Sequence, residues 1–269
     1  MIAVHRAAAK VSGARIVFSC GFDSIPFDLG VVYLQQKAVE KFGAPLTRVK
    51  SRVKAMKGGL SGGTLASLKA TMAAAAKNPG VTKVMMTPFA LTEGIIGADQ
   101  PSGAAPVFDE DFNSWSAPFV MATINTKNVH RSNFLLDYAW GKDFVYDEML
   151  LTGPGDQGEA TAKAVAADKS MAASTLKPGE GPSKEERESG FYEVLFAGSN
   201  TQGQHMMVSV KGDKDPGYGS TSKMIAESAV CLLKNPNAAT GGIWTPGAAL
   251  GELLIGRLRN NAGLSFDVI

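Results

Sequence analysis

The chain is poor in the residues that mark several common chemistries. Only two of its 269 residues are cysteine and three are histidine. Cys20 and Cys231 lie far apart, so no disulfide framework is expected, and a reducing, cytoplasmic setting is the default. No C-x-x-C pair occurs, and His5, His130 and His205 have no ligand spacing, which argues against a metal centre. A G-x-S-x-G elbow for a serine nucleophile is also absent, and no histidine is placed by the sequence to activate Cys20. No run of 18 apolar residues could cross a bilayer and no secretory signal stands at the N-terminus, so membrane contact is expected to be peripheral. The net charge is +2 and no block of five like charges occurs, which disfavours nucleic acid as a partner.

What is present is ample material for a core, with 45% hydrophobic residues. The pattern predicts a mixed α/β body. Leu29, Val32 and Tyr33 recur at helical spacing over 27–41, and Gly43 with Pro45 ends that helix. Residues 46–56 alternate with period two as a half-buried strand, and 62–77 read as a helix closed by Asn78-Pro79-Gly80. Tyr192, Val194 and Phe196, then Met206, Val208 and Val210, predict a hairpin. Ile225, Ala229, Leu232 and Leu233 predict the buried face of a later helix, and 248–259 a final helix followed by a strand over 264–268. Two long stretches bearing Pro and Gly, 87–118 and 174–190, read as loops. The first is rich in apolar groups and reads as a cover, a dimer contact or a loop packed on its own core.

Chemistry concentrates at the junction Cys20-Gly21-Phe22-Asp23-Ser24-Ile25-Pro26, between the apolar run Arg15-Ile16-Val17-Phe18-Ser19 and the first long helix. A strand leading into such a turn presents backbone N–H groups and two short oxygen side chains at a helix N-terminus, which suits an anion, a polarised carbonyl or a cofactor edge. The simpler reading makes Asp23 or Ser24 an N-cap. Arg48, Lys50, Arg52 and Lys54 share one strand face, either as a solvated surface or as a site for phosphates or anionic headgroups. Gly153-Pro154-Gly155-Asp156-Gln157-Gly158 fits G-x-G-x-x-G between a strand-like run and a helix. Turn chemistry, Leu176 to Pro182, follows in place of a second strand with an acidic end, so the motif reads as a strand-to-helix turn.

The wording of the junction resembles the saccharopine dehydrogenase-like oxidoreductases, the group that includes trans-acting enoyl reductases. The resemblance extends through Ser61-Gly62-Gly63-Thr64, Ile124-Asn125-Thr126, His130-Arg131-Ser132-Asn133, Gly179-Glu180-Gly181-Pro182, Asp215-Pro216-Gly217-Tyr218-Gly219 and Gly241-Gly242-Ile243-Trp244-Thr245-Pro246. Phe27 departs from it, since a small residue is expected there. The resemblance implies an α/β fold with a mixed sheet, the substrate domain of such an enzyme, with the Rossmann half largely absent. It divides the chain into 1–20, the end of a nucleotide-binding domain; 21–215, a substrate and dimerisation domain; and 216–269, C-terminal helices packing back on the nucleotide-binding half.

It further implies hydride reduction of an enoyl or imine double bond on a small or lipid-linked acyl substrate, with NADP or NAD as cofactor. Asp23, Ser24 and Tyr218 are the catalytic candidates, with the N–H groups near Ser24 and Ile25 stabilising an oxyanion and Tyr218 giving the proton. Gly21, Phe22, Ser24 and Ile25 are the cofactor-binding candidates, and Arg48, His130 and Arg131 the substrate-binding ones. Tyr218 also reads as part of a helix-entry turn, and His130 with Arg131 as surface-pairing residues. A homodimer is expected as a candidate assembly. The competing expectation is a non-catalytic module that associates with lipid or with itself.

Overall fold

The computed structural model describes residues 1–269, the side chain of Ala172 excepted. In chain order its elements are α1 (Ile2–Ser12), β1 (Arg15–Val17), α2 (Ile25–Phe42), β2 (Arg48–Lys57), α3 (Gly62–Lys77), α4 (Pro79–Met86), β3 (Val107–Asp109), β4 (Ser114–Pro118), α5 (Ala122–Leu135), β5 (Val145–Gly153), α6 (Gly155–Ala167), α7 (Ser170–Ala173), α8 (Lys184–Ser189), β6 (Phe191–Ser199), β7 (His205–Gly212), α9 (Gly219–Lys234), β8 (Gly242–Trp244), α10 (Pro246–Ala249), α11 (Gly251–Asn261) and β9 (Leu264–Val268). Seven strands form one sheet in the order β3-β4-β5-β2-β6-β7-β9. Only the β2–β5 pair in it is parallel. The chain is therefore a mixed α/β protein with a mostly antiparallel sheet. A separate two-stranded sheet pairs β1 with β8 in parallel, Ile16 opposite Ile243.

Helix α2 lies at the centre because it is apolar nearly all round, from Ile25 through Leu29 and Leu34 to Ala38. It packs on β6 and β7. Contact is close, since a Cβ on Gly30 would fall within 2.2 Å of the Phe196 ring. Phe27, the departure noted above, is fully buried in this core against Phe22 and Phe119. Gly43 ends α2 with φ of 71°, a left-handed value that favours glycine.

Several sequence expectations are corrected. Residues 87–118 are not one loop, because β3 and β4 extend the sheet through them, and α8 occupies part of 174–190. The buried face of α9 is Ser220, Met224, Ser228 and Cys231, whereas Ile225 and Leu233 are exposed. Small hydroxyl residues take the inner face because their hydroxyls have partners, Ser228 donating to the Met224 carbonyl and Ser220 pairing with the Tyr192 hydroxyl. The expected last helix is broken into α10 and α11 at Gly251, which has φ of 42°.

The cation row on β2 is not an open basic surface. Arg48 pairs with Asp147, Lys50 with Asp109 and Asp111, and Lys54 with Glu193. Arg52 is buried between Asp109 (2.7 Å) and Asp147 (2.8 Å). These carboxylates come from β3 and the turn after it, from β5 and from β6, all distant in sequence, so their approach was invisible in the β2 pattern.

Candidate active site

The C-terminal ends of the parallel strands β1 and β8 lie side by side, and each feeds a helix, α2 and α10. Ser19 turns the chain out of β1 with φ of 58°, an uncommon conformation for a non-glycine residue. Gly21 follows, where a Cβ would meet the Thr221 methyl of α9 at 3.1 Å. This places residues 18–23 between α9 on one side and α5 on the other.

Helix α2 starts at the Ser24 N-cap with Pro26 in its first turn. Its first amides are satisfied locally: the N–H groups of Ser24 (3.1 Å) and Ile25 (2.8 Å) both donate to the Gly21 carbonyl. Phe22 N–H donates to Thr221 Oγ1 at 2.9 Å. The expected oxyanion site at Ser24 and Ile25 is therefore overturned, because these donors are used within the turn and Phe22, Ser24, Ile25 and Pro26 are buried. Ser24 Oγ donates to Asn125 Oδ1 (3.3 Å) and accepts from Asn128 Nδ2 (2.7 Å). Among the described residues, nothing accepts from the N–H of Gly21 or Asp23.

The Asp23 carboxyl stands apart from this economy. It is half-buried, and among the described residues no hydrogen bond or ion pair engages it. Burial raises its pKa above the ordinary carboxylate value. A carboxyl so placed holds its proton more readily than a free one, which is what a proton donor requires. Cys20 is different. Burial pushes its thiol up to about 11, so it is a poor nucleophile.

Beneath the turn, α5 carries a buried polar face onto α2 and β5. Asn125 Nδ2 donates to Glu148 Oε2 (2.9 Å) and the Tyr146 hydroxyl to Glu148 Oε1 (2.7 Å). Burial raises the Glu148 carboxyl well above its ordinary range despite both donors. Ser132 donates to Asp28 and pairs with Thr245, and Gly247 N–H donates to Asp28 Oδ2 at 2.7 Å. Asp28 thus ties α2, α5 and α10 together below the strand ends. Asn125, Asn128 and Ser132, spaced i, i+3 and i+7, are participants that sequence reasoning left without a role.

Burial lifts the Asp28 carboxyl to about 6, more than its two donors lower it. Between pH 4 and 6 the folded protein then binds a proton that the unfolded chain has released. This contribution to stability is present at acid pH and is lost as pH rises through about 6. It amounts to about 3 kcal/mol at 1.36 kcal/mol per pKa unit. Asp28→Asn is expected to flatten stability against pH in that window, read by urea unfolding at pH 4, 5, 6 and 7; an unchanged slope would exclude Asp28 as its source.

The glycine-bearing segments around Gly62, Gly179 to Pro182 and Asp215 to Gly219 meet one another. Gly62 N–H donates to the Glu180 carbonyl (2.8 Å), and a Cβ on Gly62 would lie 1.7 Å from the Lys177 carbonyl oxygen. A Cβ on Gly217 would lie 2.4 Å from the Gly59 carbonyl oxygen. Asp215 accepts from Tyr218 N–H (3.1 Å) and Gly219 N–H (2.6 Å) at the start of α9. The Tyr218 hydroxyl donates to the Glu180 carbonyl at 3.0 Å. Tyr218 therefore fastens loop 177–182 to α9, as a helix-entry residue does.

The three residues expected to bind substrate are not gathered. Arg48 lies on β2 with Asp147. His130 is buried between the Phe89 and Phe144 rings, its Nε2 without a partner. Burial first, and Lys127 second, lower its pKa to about 4, so it is neutral and attracts no anion. Arg131 lies nearer the strand ends, with its guanidinium 5.9 Å from the Phe18 ring centroid. Two of its donors are used by the Leu91 and Ile243 carbonyls, at 2.7 Å each, so it braces backbone, and it also forms an ion pair with Glu93 at 3.9 Å. Of the expected site, the structure assembles Gly21 to Ile25 with Arg131 behind them.

At Gly153 to Gly158 the G-x-G-x-x-G string is the β5–α6 turn. A Cβ on Gly158 would lie 1.9 Å from the Gly153 carbonyl oxygen, so this glycine serves close helix packing. The next strand, β6, pairs antiparallel with β2. The string therefore lacks the second parallel strand of a dinucleotide site.

No family model matches the chain. Among curated proteins, one assigned as a trans-acting enoyl reductase in Mycobacterium tuberculosis (strain H37Rv) is 34% identical over 282 aligned positions. The trans-acting enoyl reductases of Mycobacterium ulcerans (strain Agy99) and Mycobacterium bovis (strain BCG Pasteur) are each 31% identical over 283 positions. Every one of these alignments takes in 94% of this chain and 67% of the relative. With identity above 30% across two thirds of proteins that share one name, and a strand–turn–helix junction at its polar centre, the chain belongs to the trans-acting enoyl reductase family.

Proposed function

We propose that this chain is the substrate-side part of an enoyl reductase that uses NADPH or NADH, and that the double bond it reduces is carried by a lipid-linked acyl group. The observation that carries this reading is the unpartnered Asp23 carboxyl at the adjoining C-terminal ends of β1 and β8. Ligands of parallel α/β sheets collect at the carboxyl ends of strands. Strand β1 has no strand partner on its outer edge, whereas the outer edge of β8 is taken by Arg131, and Ile16 in β1 is 43% exposed, an unusual fate for a parallel strand. A nucleotide-binding lobe of the saccharopine dehydrogenase type would continue this sheet. β1 and β8 come from 1–20 and 216–269, which supports the division of the chain proposed above.

The residues fit the nicotinamide end of the cofactor and not its pyrophosphate. Gly21 keeps the turn low, Phe18 offers an apolar ring, and the N–H groups of Gly21 and Asp23 remain as donors; the glycine string at 153–158 has a packing role. When bound, the nicotinamide supplies hydride to the enoyl β-carbon. Negative charge then gathers on the substrate's carbonyl oxygen, where the Gly21 and Asp23 amides stabilise it. The Asp23 carboxyl gives a proton to the α-carbon and recovers it from water. Arg131 and the α5 network hold the turn rigid.

The direct test is energy transfer from tryptophan to NADPH, since Trp244 lies half-buried at the end of β8. Transfer is expected with the chain alone or after mixing with a separately expressed nucleotide-binding lobe. Absence of transfer in both settings would leave the reading without support and favour a non-catalytic module.

A further inference from the structure

Between Glu40 and Glu93 the chain contains no acidic residue. Of the cations in the first part of this interval, on β2, Lys57 donates to the Ser189 hydroxyl, and Arg48, Lys50, Arg52 and Lys54 meet carboxylates. Those in the second part do not. Lys69, Lys77 and Lys83 lie on the α3–α4 hairpin and, among the described residues, form no ion pair. Lys69 Nζ reaches only the Ser174 carbonyl.

The hairpin is nearly bare. In α3 only Gly62 and Leu65 are buried, and in α4 no residue is. Its turn is well made, with Asn78 capping α4 by accepting from Gly80 N–H (2.9 Å) and Thr82 Oγ1 donating to the Ala75 carbonyl (3.2 Å). It is held to the body at its far end by Lys127 Nζ, which donates to the Met85 carbonyl at 2.7 Å. Met72, Val84 and Met86 are exposed at 54%, 53% and 78%, and Val120 and Ile124, at the start of the helix that carries Lys127, are exposed as well. Large apolar side chains left in water on one short hairpin, beside lysines without ion pairs, suit a surface that is both apolar and anionic.

We infer that the α3–α4 hairpin docks on an anionic phospholipid bilayer, lying in the headgroup plane with Met72 and Met86 in the acyl boundary and Lys77 and Lys83 among phosphates. Apolar side chains beside unpaired lysines, with carboxylates excluded, are complementary to that surface on both counts. No helix of the chain among the described residues is long and apolar enough to cross a membrane, which fits attachment in the plane. The row Arg48 to Lys54 takes no part, since its charge is answered within the fold. This inference stands apart from the reductase reading: nicotinamide binding is measured without lipid, so either can fail alone.

The test is co-sedimentation of the full chain with phosphatidylcholine vesicles containing or lacking 30 mol% phosphatidylglycerol, a probe mixture of about one anionic lipid in three. Binding is expected only to the anionic vesicles and is expected to fall with salt. Lys77→Glu with Lys83→Glu should lower partitioning by ~25-fold or more, at about fivefold per lysine near a charged surface. Met72→Glu with Met86→Glu should abolish it. Ile225→Glu with Leu233→Glu, exposed apolar positions on α9, should leave it unchanged. All six positions are exposed, so circular dichroism should report an unaltered fold. Equal binding to neutral vesicles, wild-type binding by the lysine variant, or a dimer in light scattering that Met86→Glu dissolves would each overturn the assignment, the last by giving the hairpin to a second copy of the chain.

Discussion

Asp23→Asn is expected to lower turnover of an enoyl thioester by about two to four orders of magnitude, the usual contribution of a positioned general acid. Nucleotide binding should be unchanged, because asparagine has nearly the same shape and no partner is lost. The pH profile carries the sharper signature. Burial raises the Asp23 pKa, so its protonated form persists to higher pH than that of a solvated carboxyl. Wild-type activity should fall as pH rises through that displaced value, and the limb should vanish in the variant. Turnover within threefold of wild type, with the limb retained, would remove Asp23 from the chemistry. The neighbouring Cys20→Ser, by contrast, should be nearly silent, since a thiol held near 11 contributes little at neutral pH.

The largest expected loss of stability is at Arg52. Its guanidinium is 2% exposed and lies between Asp109 and Asp147, themselves 3% and 4% exposed. Burial alone would push the Asp109 carboxyl up; Arg52 and Lys50 outweigh it and hold it below the ordinary value. Arg52→Ala leaves two buried carboxylates facing one another with only Lys50 and Arg48 nearby. Removing one partner of a buried ion cluster typically costs 3–5 kcal/mol, so roughly that loss is expected in urea unfolding at pH 7. Because the Asp109 pKa is depressed by these cations, its share of stability is present above the unfolded value and fades as pH falls through the folded one. The deficit of Arg52→Ala should therefore narrow in acid. Arg52→Lys should recover part of the loss but not all, since an ammonium cannot make two fixed, planar contacts at once. A deficit below about 1 kcal/mol would mean that water enters the cluster and screens it.

The sequence by itself determined the elements whose burial follows a local period. Val49 and Val53 on β2, Tyr192, Val194 and Phe196 on β6, and the run from Ile25 to Ala38 declare their inner faces by spacing, because a strand repeats every two residues and a helix every 3.6. The junction at Gly21 to Ile25 was legible as a turn into a helix, since glycine, short oxygen side chains and proline prescribe one. On α9 the period misled: Ile225 and Leu233 are the more apolar, yet Ser220 and Ser228 are inside, because hydroxyls with partners are cheaper to bury than their polarity implies.

Only the tertiary structure decided what each polar group faces. Arg48 and Arg52 meet Asp147 from β5, Asp28 meets Gly247 from the other end of the chain, and Ser24 meets Asn125 and Asn128. Charge and hydrogen-bonding capacity are written in a residue's identity, but whether they are cancelled is a matter of distance, and these distances are set by the packing of α2 and α5 against one sheet. That is why the cation row proved to be an internal brace, why the Ser24 and Ile25 amides proved to be closed, and why Asp23 and the α3–α4 lysines were left open.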